Sequence, residues 1–210
     1  MPNQLSHVRF FDFSQIVGTL IETFLDSIDI WTQDIAGGGL ISIGVDGVNV
    51  QGGTGAGDHA QLSKDVTYPH WLPSWDKKRS LKIRLFVNHQ AGGTDDIFMT
   101  TGDHLLNSKG FGFQFKNDGV YGVDGDDTDA SSVKLLDKGP GTYEVLATLE
   151  AIFYPRKKIV FYIDGVYAGQ LTTTLPAGES FECRILDFFV GQGGASPHFI
   201  QFSSFSYFQE

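Results

Sequence analysis

The stretch Phe111-Gly112-Phe113-Gln114-Phe115-Lys116 alternates phenylalanine with small or polar residues at every position. A period of two places every second side chain on the same face of a β-strand. The three phenylalanines are therefore predicted to enter a core. Gly119, in the Asn117-Asp118-Gly119 that follows, turns the chain back into a second strand through Val120 and Tyr121. This part of the sequence predicts an antiparallel β protein.

Two Asp-Gly hairpins extend the same pattern in both directions. Leu40–Gly44 leads into Asp46-Gly47 and a return strand over residues 48–50. Late in the chain, residues 159–163 lead into Asp164-Gly165 and return through Val166–Leu171. Asp-Gly supplies the positive φ angles that a two-residue hairpin turn requires. Both segments are therefore predicted to be pairs of antiparallel strands.

Residues 142–153 fit two patterns. Leu146, Leu149 and Phe153 have helical spacing, whereas the alternation from Tyr143 onward fits a strand. Gly139-Pro140-Gly141 before the segment and Pro155 after it are typical of hairpin turns and favour the strand. With this segment the chain has about a dozen short strands, which is typical of sandwiches. The predicted fold is all-β, a two-sheet antiparallel jelly-roll sandwich, with residues 1–17 as an N-terminal arm or extra strand and residues 18–210 as a single domain.

The order of these features resembles the concanavalin A-like lectin and glucanase superfamily over about residues 19–208. Four pieces carry the resemblance: Glu22-Thr23-Phe24-Leu25-Asp26 leading to Trp31-Thr32; Ser74-Trp75-Asp76-Lys77-Lys78 before an amphipathic strand; Gly110-Phe111-Gly112-Phe113; and Ile163-Asp164-Gly165-Val166. The resemblance implies a concanavalin A-like, LamG-like jelly roll in which Trp75 packs on the sandwich. Members of this superfamily include lectins, glycoside hydrolases, adhesion modules and surface components of viruses or phages.

The charge distribution excludes some partners. The formal net charge is −10 and the pI is about 4.9. Nucleic acids and anionic membranes are recognised by clustered Lys and Arg, so we expect neither nucleic-acid binding nor membrane insertion. The first residues lack the basic and apolar segments of a secretory signal, so no signal peptide is visible. We expect a location on a virion or an extracellular surface.

The resemblance also allows a test for catalysis. Retaining glycosidases of the laminarinase-like branch of this superfamily carry Glu-x-Asp-x-x-Glu on one strand, and this chain lacks that motif. Glu144 and Glu150 lie six positions apart, which corresponds to about 20 Å along a strand. They cannot act as a pair on one glycosidic bond, and the chain is predicted not to be an enzyme.

An acidic turn and two short triplets are candidate metal sites. Asp124, Asp126, Asp127 and Asp129 place four carboxylates within six residues, which makes calcium the candidate cofactor. The turn lacks the glycine and the closing glutamate of an EF-hand, and an exposed acidic turn is the alternative. Gly57-Asp58-His59 and Gly102-Asp103-His104 repeat an Asp-His pair that could bind a transition metal or sugar hydroxyls, or could be a coincidence.

The loop between residues 67 and 75 is the candidate ligand site. Tyr68, His70 and Trp71 combine flat aromatic faces with polar groups, as sugar-binding sites do. Trp71 lies between two prolines, Pro69 and Pro73, and is difficult to place in a core.

Three functions follow. The first is a non-catalytic recognition or structural module on a virion surface, as a capsid decoration or tail-associated protein, or an adhesion protein. Its partners would be other proteins of an assembly, including a homo-oligomer, or surface glycans. The second is a glycan-binding lectin domain, and the third is a glycoside hydrolase with an unrecognised carboxylate pair.

Overall fold

The structure, a computed structural model, describes residues 19–24, 31–44, 47–65, 74–91, 97–102, 109–126, 129–177 and 184–210. These residues form strands joined by turns and loops, and no helix occurs among them. The strands are β1 (Thr19–Phe24), β2 (Thr32–Ala36), β3 (Leu40–Gly44), β4 (Gly47–Gln51), β5 (His59–Asp65), β6 (Arg79–His89), β7 (Ile97–Gly102), β8 (Gly110–Lys116), β9 (Gly119–Gly125), β10 (Ala130–Asp137), β11 (Tyr143–Tyr154), β12 (Lys158–Ile163), β13 (Val166–Leu171), β14 (Arg184–Val190) and β15 (Phe199–Gln209).

The strands form two antiparallel sheets. The eight-stranded sheet has the order β13-β12-β11-β6-β15-β4-β3, with β1 paired to β15. The seven-stranded sheet has the order β10-β9-β8-β7-β14-β5-β2. The chain crosses between the sheets at several points, as from β5 to β6 and from β6 to β7. This is the two-layer jelly-roll sandwich that the sequence predicts.

Alternating side chains from both sheets meet in one core. On β6, Leu81, Ile83, Leu85 and Val87 are buried, whereas the residues between them face away from the core. Burying one phenylalanine contributes about 1.5–3 kcal/mol. Ring contacts join the two layers: Phe188 stacks on Phe202 with centroids 4.0 Å apart, and Phe113 meets Phe161 edge to face at 5.5 Å. The predicted core positions of β8, Phe111, Phe113 and Phe115, are all fully buried.

The structure also resolves the ambiguous segment. Residues 142–153 contribute β11, which pairs with β6 on one side and β12 on the other. The late hairpin is confirmed, since Asp164 and Gly165 have φ angles of 51° and 78° between β12 and β13. The early hairpin is confirmed by the pairing of β3 with β4. The predicted N-terminal arm, residues 1–17, lies outside the described residues.

Trp75 packs as the resemblance implies. It is 1% exposed and contacts Phe111 and Phe153 edge to face, with centroids 6.0 and 5.6 Å away. The Arg79 guanidinium lies 3.8 Å from the centre of the same ring. Trp75 therefore closes one end of the core rather than facing a ligand.

Candidate functional site

Two rows of residues cross the outer face of the seven-stranded sheet, the face directed away from the core. Strand register sets both rows. The first, which we term the amide–aromatic row, contains Tyr121, Gln114, Phe98, Phe189, Gln61 and Asp34. The second, which we term the buried row, contains Val123, Gly112, Thr100, Asp187, Ser63 and Thr32.

The residues between these rows show which face they occupy. Leu62, Phe188, Met99 and Phe113 are cross-strand neighbours, and each is fully buried in the core. Because strand side chains alternate, residues one position away on each strand project from the opposite side. Both rows therefore lie on the outer face. The amide–aromatic row is partly accessible at Tyr121, Phe189 and Gln61, and exposed at Asp34.

A buried carboxylate holds the amide of Gln61. The Gln61 Nε2 group donates to both oxygens of Asp187, at 2.9 and 3.1 Å. Asp187 is fully buried even though it projects from the outer face. A hydrogen bond to a charged acceptor is stronger than one between neutral groups. Asp187 therefore fixes the orientation of the Gln61 amide at the accessible edge of the site.

Thr100 lies beside Asp187 in the buried row. Its Oγ1 is buried and has no hydrogen-bond partner within the part of the chain that the structure describes. On the neighbouring strand, a Cβ at Gly112 would lie 2.2 Å from the Met99 carbonyl oxygen. Glycine at this position lets β7 and β8 approach closely.

Tyr121 forms one end of the amide–aromatic row. Its hydroxyl donates to Asp118, and Lys134 Nζ donates to the same carboxylate at 2.8 Å. These bonds, first that from Lys134 and then that from Tyr121, lower the pKa of Asp118. Burial and the bond to Asp118 raise the pKa of Tyr121, so the phenol stays neutral. The Lys116 ammonium lies 4.7 Å from the ring centre, so this end carries both an aromatic face and positive charge.

His59 lies at the other end. Its ring stacks on Phe189 with centroids 5.5 Å apart, and its Nε2 is 3.6 Å from an Asp34 oxygen. Asp58, the other member of the predicted triplet, turns away into its own loop, where Gly55 N donates to its carboxylate at 2.9 Å. The structure therefore separates Asp58 from His59 and brings His59 to the amide–aromatic row. Asp103 and His104 lie outside the described residues.

The acidic turn is only partly described. Asp124 is fully buried and accepts hydrogen bonds from Ser131 N at 3.1 Å, from Thr174 Oγ1 at 2.8 Å and from Ser131 Oγ. Burial raises its pKa. Asp129 is exposed, Asp127 lies outside the described residues, and no group of three metal-binding side chains gathers in the described ranges. Asp124 acts as a structural acceptor at the sandwich end, and calcium binding by Asp124, Asp126, Asp127 and Asp129 stays a prediction.

The aromatic loop falls outside the described residues, so ligand binding by Tyr68, His70 and Trp71 also stays a prediction. Sequence reasoning missed Gln61 and Asp187, which lie 126 positions apart. No local motif links them. A signal that could have drawn attention to Asp187 is its place in the apolar strand β14.

Asp34 and Asp187 are well separated on this face. They lie on strands that flank β5, two strand spacings apart, and are offset by two residues, which corresponds to about 12 Å. Glu144 and Glu150 project from the outer face of the other sheet, where Asn88 and Lys82 contact them. As the sequence predicts, those two glutamates do not form a pair.

No protein-family model and no curated protein sequence matches the chain. Solved structures do. The Bacillus licheniformis β-glucanase is 11% identical with a TM-score of 0.59, over 90% of this chain and 97% of that chain. The binding domain of Paraclostridial Mosquitocidal Protein 1 is 10% identical with a TM-score of 0.52, over 83% of this chain and 43% of that chain. The binding domain of Botulinum Neurotoxin DC in complex with SialylT is 8% identical with a TM-score of 0.54, over 85% and 43%.

These identities show the fold alone, a concanavalin A-like jelly roll. The chain spans less than half the length of the two toxin chains. None of the described residues forms a helix long and apolar enough to cross a membrane.

Proposed function

We propose that this protein is a non-catalytic glycan-recognition module and that its ligand lies along the amide–aromatic row. The observation that carries the proposal is the Gln61 amide, which the buried Asp187 holds at an accessible edge between Phe189 and Asp34. Amides oriented in this way bind sugar hydroxyls, and neighbouring aromatic rings stack on the apolar faces of sugars.

The dimensions of the row suit an oligosaccharide. Tyr121 and Gln61 are four strand spacings apart, or about 19 Å, with Gln114, Phe98 and Phe189 at the intervening register positions. Tyr121 and Gln114 are neighbours in one half of the row, and Phe189 and Gln61 are neighbours in the other, so each half contains an aromatic residue and an amide. An extended chain of several sugar rings could contact both.

The separation of the carboxylates supports binding without hydrolysis. A retaining glycosidase needs two carboxyl groups about 5 Å apart, and an inverting enzyme needs about 6.5–9.5 Å. Asp34 and Asp187 are about 12 Å apart by strand spacing and register, and both oxygens of Asp187 accept hydrogen bonds from Gln61. The similar structures include both a glucanase and toxin binding domains, so the fold is compatible with either activity.

The proposal can be tested by measuring the affinity of the protein for a set of oligosaccharides. Tyr121→Ala and Gln61→Ala are the test variants. Loss of a stacking aromatic ring or of an oriented amide is expected to weaken binding about tenfold. The matched controls lie on the other sheet: Tyr162→Ala removes a partly exposed tyrosine, and Asn88→Ala removes an amide that contacts a carboxylate. Equal effects in test and control variants would refute the site.

Release of reducing sugar is the test for catalysis. We expect none with polysaccharides that bind. Release that Asp187→Asn abolishes would show that the protein is a hydrolase. The place of the module, on a virion surface as a capsid decoration or tail-associated protein or as an adhesion protein, stays a prediction.

A further inference from the structure

Five cations gather at one end of the eight-stranded sheet. We term this surface the basic end: Lys77, Lys78, Arg156, Lys157 and Lys158. Two turns supply them, one before β6 and one between β11 and β12. The register of β6 against β11 brings these turns side by side, and Arg156 Nη2 contacts Asp76 Oδ1 at 2.9 Å.

The basic end is positively charged, whereas the molecule as a whole is negatively charged. Among the described residues, the five cations of this end form ion pairs with two carboxylates, Asp76 and Glu210, in a chain whose formal net charge is −10. Arg79 lies buried directly beneath, with its guanidinium 3.8 Å from the centre of the Trp75 ring. An anionic ligand would be repelled by most of the surface and attracted to this end.

An aromatic ring lies among the cations. The ammonium groups of Lys78 and Lys158 are each 5.8 Å from the centre of the Tyr154 ring, which is partly accessible. A hydrogen bond to Glu210 raises the pKa of Lys78, so this lysine stays charged. A partly accessible aromatic ring beside two ammonium groups fits a sugar ring that carries acidic substituents.

Arg156 lies in the turn between β11 and β12, where its φ is 56°. This is the left-handed region that favours glycine and that tight turns require. The Arg156 side chain is 75% exposed and pairs with Asp76. This ion pair links the two turns that form the basic end.

We propose that the basic end binds an acidic polysaccharide, whose carboxylate or sulfate groups contact Lys77, Arg156, Lys157 and Lys158 and whose rings contact Tyr154. This surface belongs to the eight-stranded sheet, whereas the amide–aromatic row lies on the seven-stranded sheet. The two proposals are therefore independent.

The first test uses dextran sulfate and polygalacturonate as probes, with uncharged dextran and polyglutamate as controls. The full chain should bind the two acidic polysaccharides and not the uncharged one, and binding should weaken as salt rises because exposed charges are screened. The triple variant Lys77→Gln, Lys157→Gln, Lys158→Gln should bind at least about tenfold more weakly. Equal binding of polyglutamate would overturn the polysaccharide assignment.

A matched control removes the same charge elsewhere. The variant Lys82→Gln, Arg84→Gln, Lys138→Gln has the same net charge but keeps the basic end intact, and it should bind as the unmodified chain does. Equal weakening in both triple variants would show a general charge effect and overturn the proposal.

Arg156→Gly separates binding from folding. Glycine relieves the strain at a φ of 56°, so thermal unfolding should be unchanged or should occur at a slightly higher temperature. Polysaccharide binding should nevertheless weaken, and a variant that binds as tightly as the unmodified chain would exclude a role for Arg156. Oligosaccharide binding at the amide–aromatic row should be unaffected, which keeps failure of either proposal distinguishable.

Discussion

The two outer faces of the sandwich each carry an amide–carboxylate pair. On the seven-stranded sheet, Gln61 donates to both oxygens of Asp187, which is fully buried. On the eight-stranded sheet, Asn88 donates to Glu144 at 3.1 Å, and Glu144 is exposed. The chemistry is the same, but only the first pair is shielded from water. Burial, rather than residue type, therefore distinguishes an amide held in one orientation from an ordinary surface contact.

The residues around each pair also differ. Beside Glu144 on the same face, Leu146 is 65% exposed and its cross-strand neighbour Phe86 is partly accessible. Beside Asp187, the buried row contains small residues such as Thr100. The pair on the eight-stranded sheet therefore lies among accessible apolar side chains, whereas the carboxylate on the seven-stranded sheet lies among buried small ones.

Acid should destabilise both faces of the sandwich together, and we expect this to be the largest effect on stability. His89 is buried between the sheets, where it stacks on Tyr143 at 4.9 Å and lies 4.4 Å from His198. Burial, and secondarily His198, lowers the pKa of His89 to about 4. The unfolded chain therefore binds this proton more readily, and stability is lost as pH falls from about 6.5 through about 4, by on the order of 3 kcal/mol.

Urea unfolding between pH 7 and pH 4 measures this loss. His89→Phe keeps a ring beside Tyr143 and removes the titrating group, so its stability should depend much less on pH. If the free energy of unfolding of His89→Phe depended on pH as it does in the unmodified chain, His89 would be excluded as the cause.

Removal of each carboxylate in turn compares the contributions of the two amide–carboxylate pairs to stability. Asp187→Ala is expected to cost about 2 kcal/mol, because it leaves the Gln61 amide without its buried charged acceptor. Glu144→Ala should change stability by less than about 0.5 kcal/mol, since an exposed contact exchanges with water. Asp187→Asn, which keeps one acceptor oxygen, should lie between them. Urea unfolding at pH 7 measures all three, and equal losses for Asp187→Ala and Glu144→Ala would remove the distinction.

The smallest effect concerns the tyrosine end of the amide–aromatic row. Lys134→Gln removes the main donor that lowers the pKa of Asp118, so that pKa should rise toward its ordinary value. Lys82→Gln removes a lysine from the other face, where Lys82 contacts Glu150 at 3.6 Å, and should leave Asp118 unchanged. Carbon-detected NMR titration of Asp118 reads both. The same pKa in both variants would contradict the network around Tyr121.

The two-layer architecture, the hairpins and most core positions could be predicted from the sequence alone. Alternation at Phe111, Phe113 and Phe115, and the turn at Asp164-Gly165, are local properties, because strand periodicity and turn geometry depend on neighbouring residues. The sequence also excludes Glu144 and Glu150 as a catalytic pair, because six positions along one strand keep them about 20 Å apart.

Contacts between distant polar residues are visible only in the tertiary structure. Gln61 and Asp187 are 126 positions apart, and Arg156 and Asp76 are 80 apart. Their contacts depend on the order and register of strands brought together from distant parts of the chain. A period of two shows that Asp187 and the neighbouring Phe188 face opposite sides of β14, but it does not show which strand lies beside them.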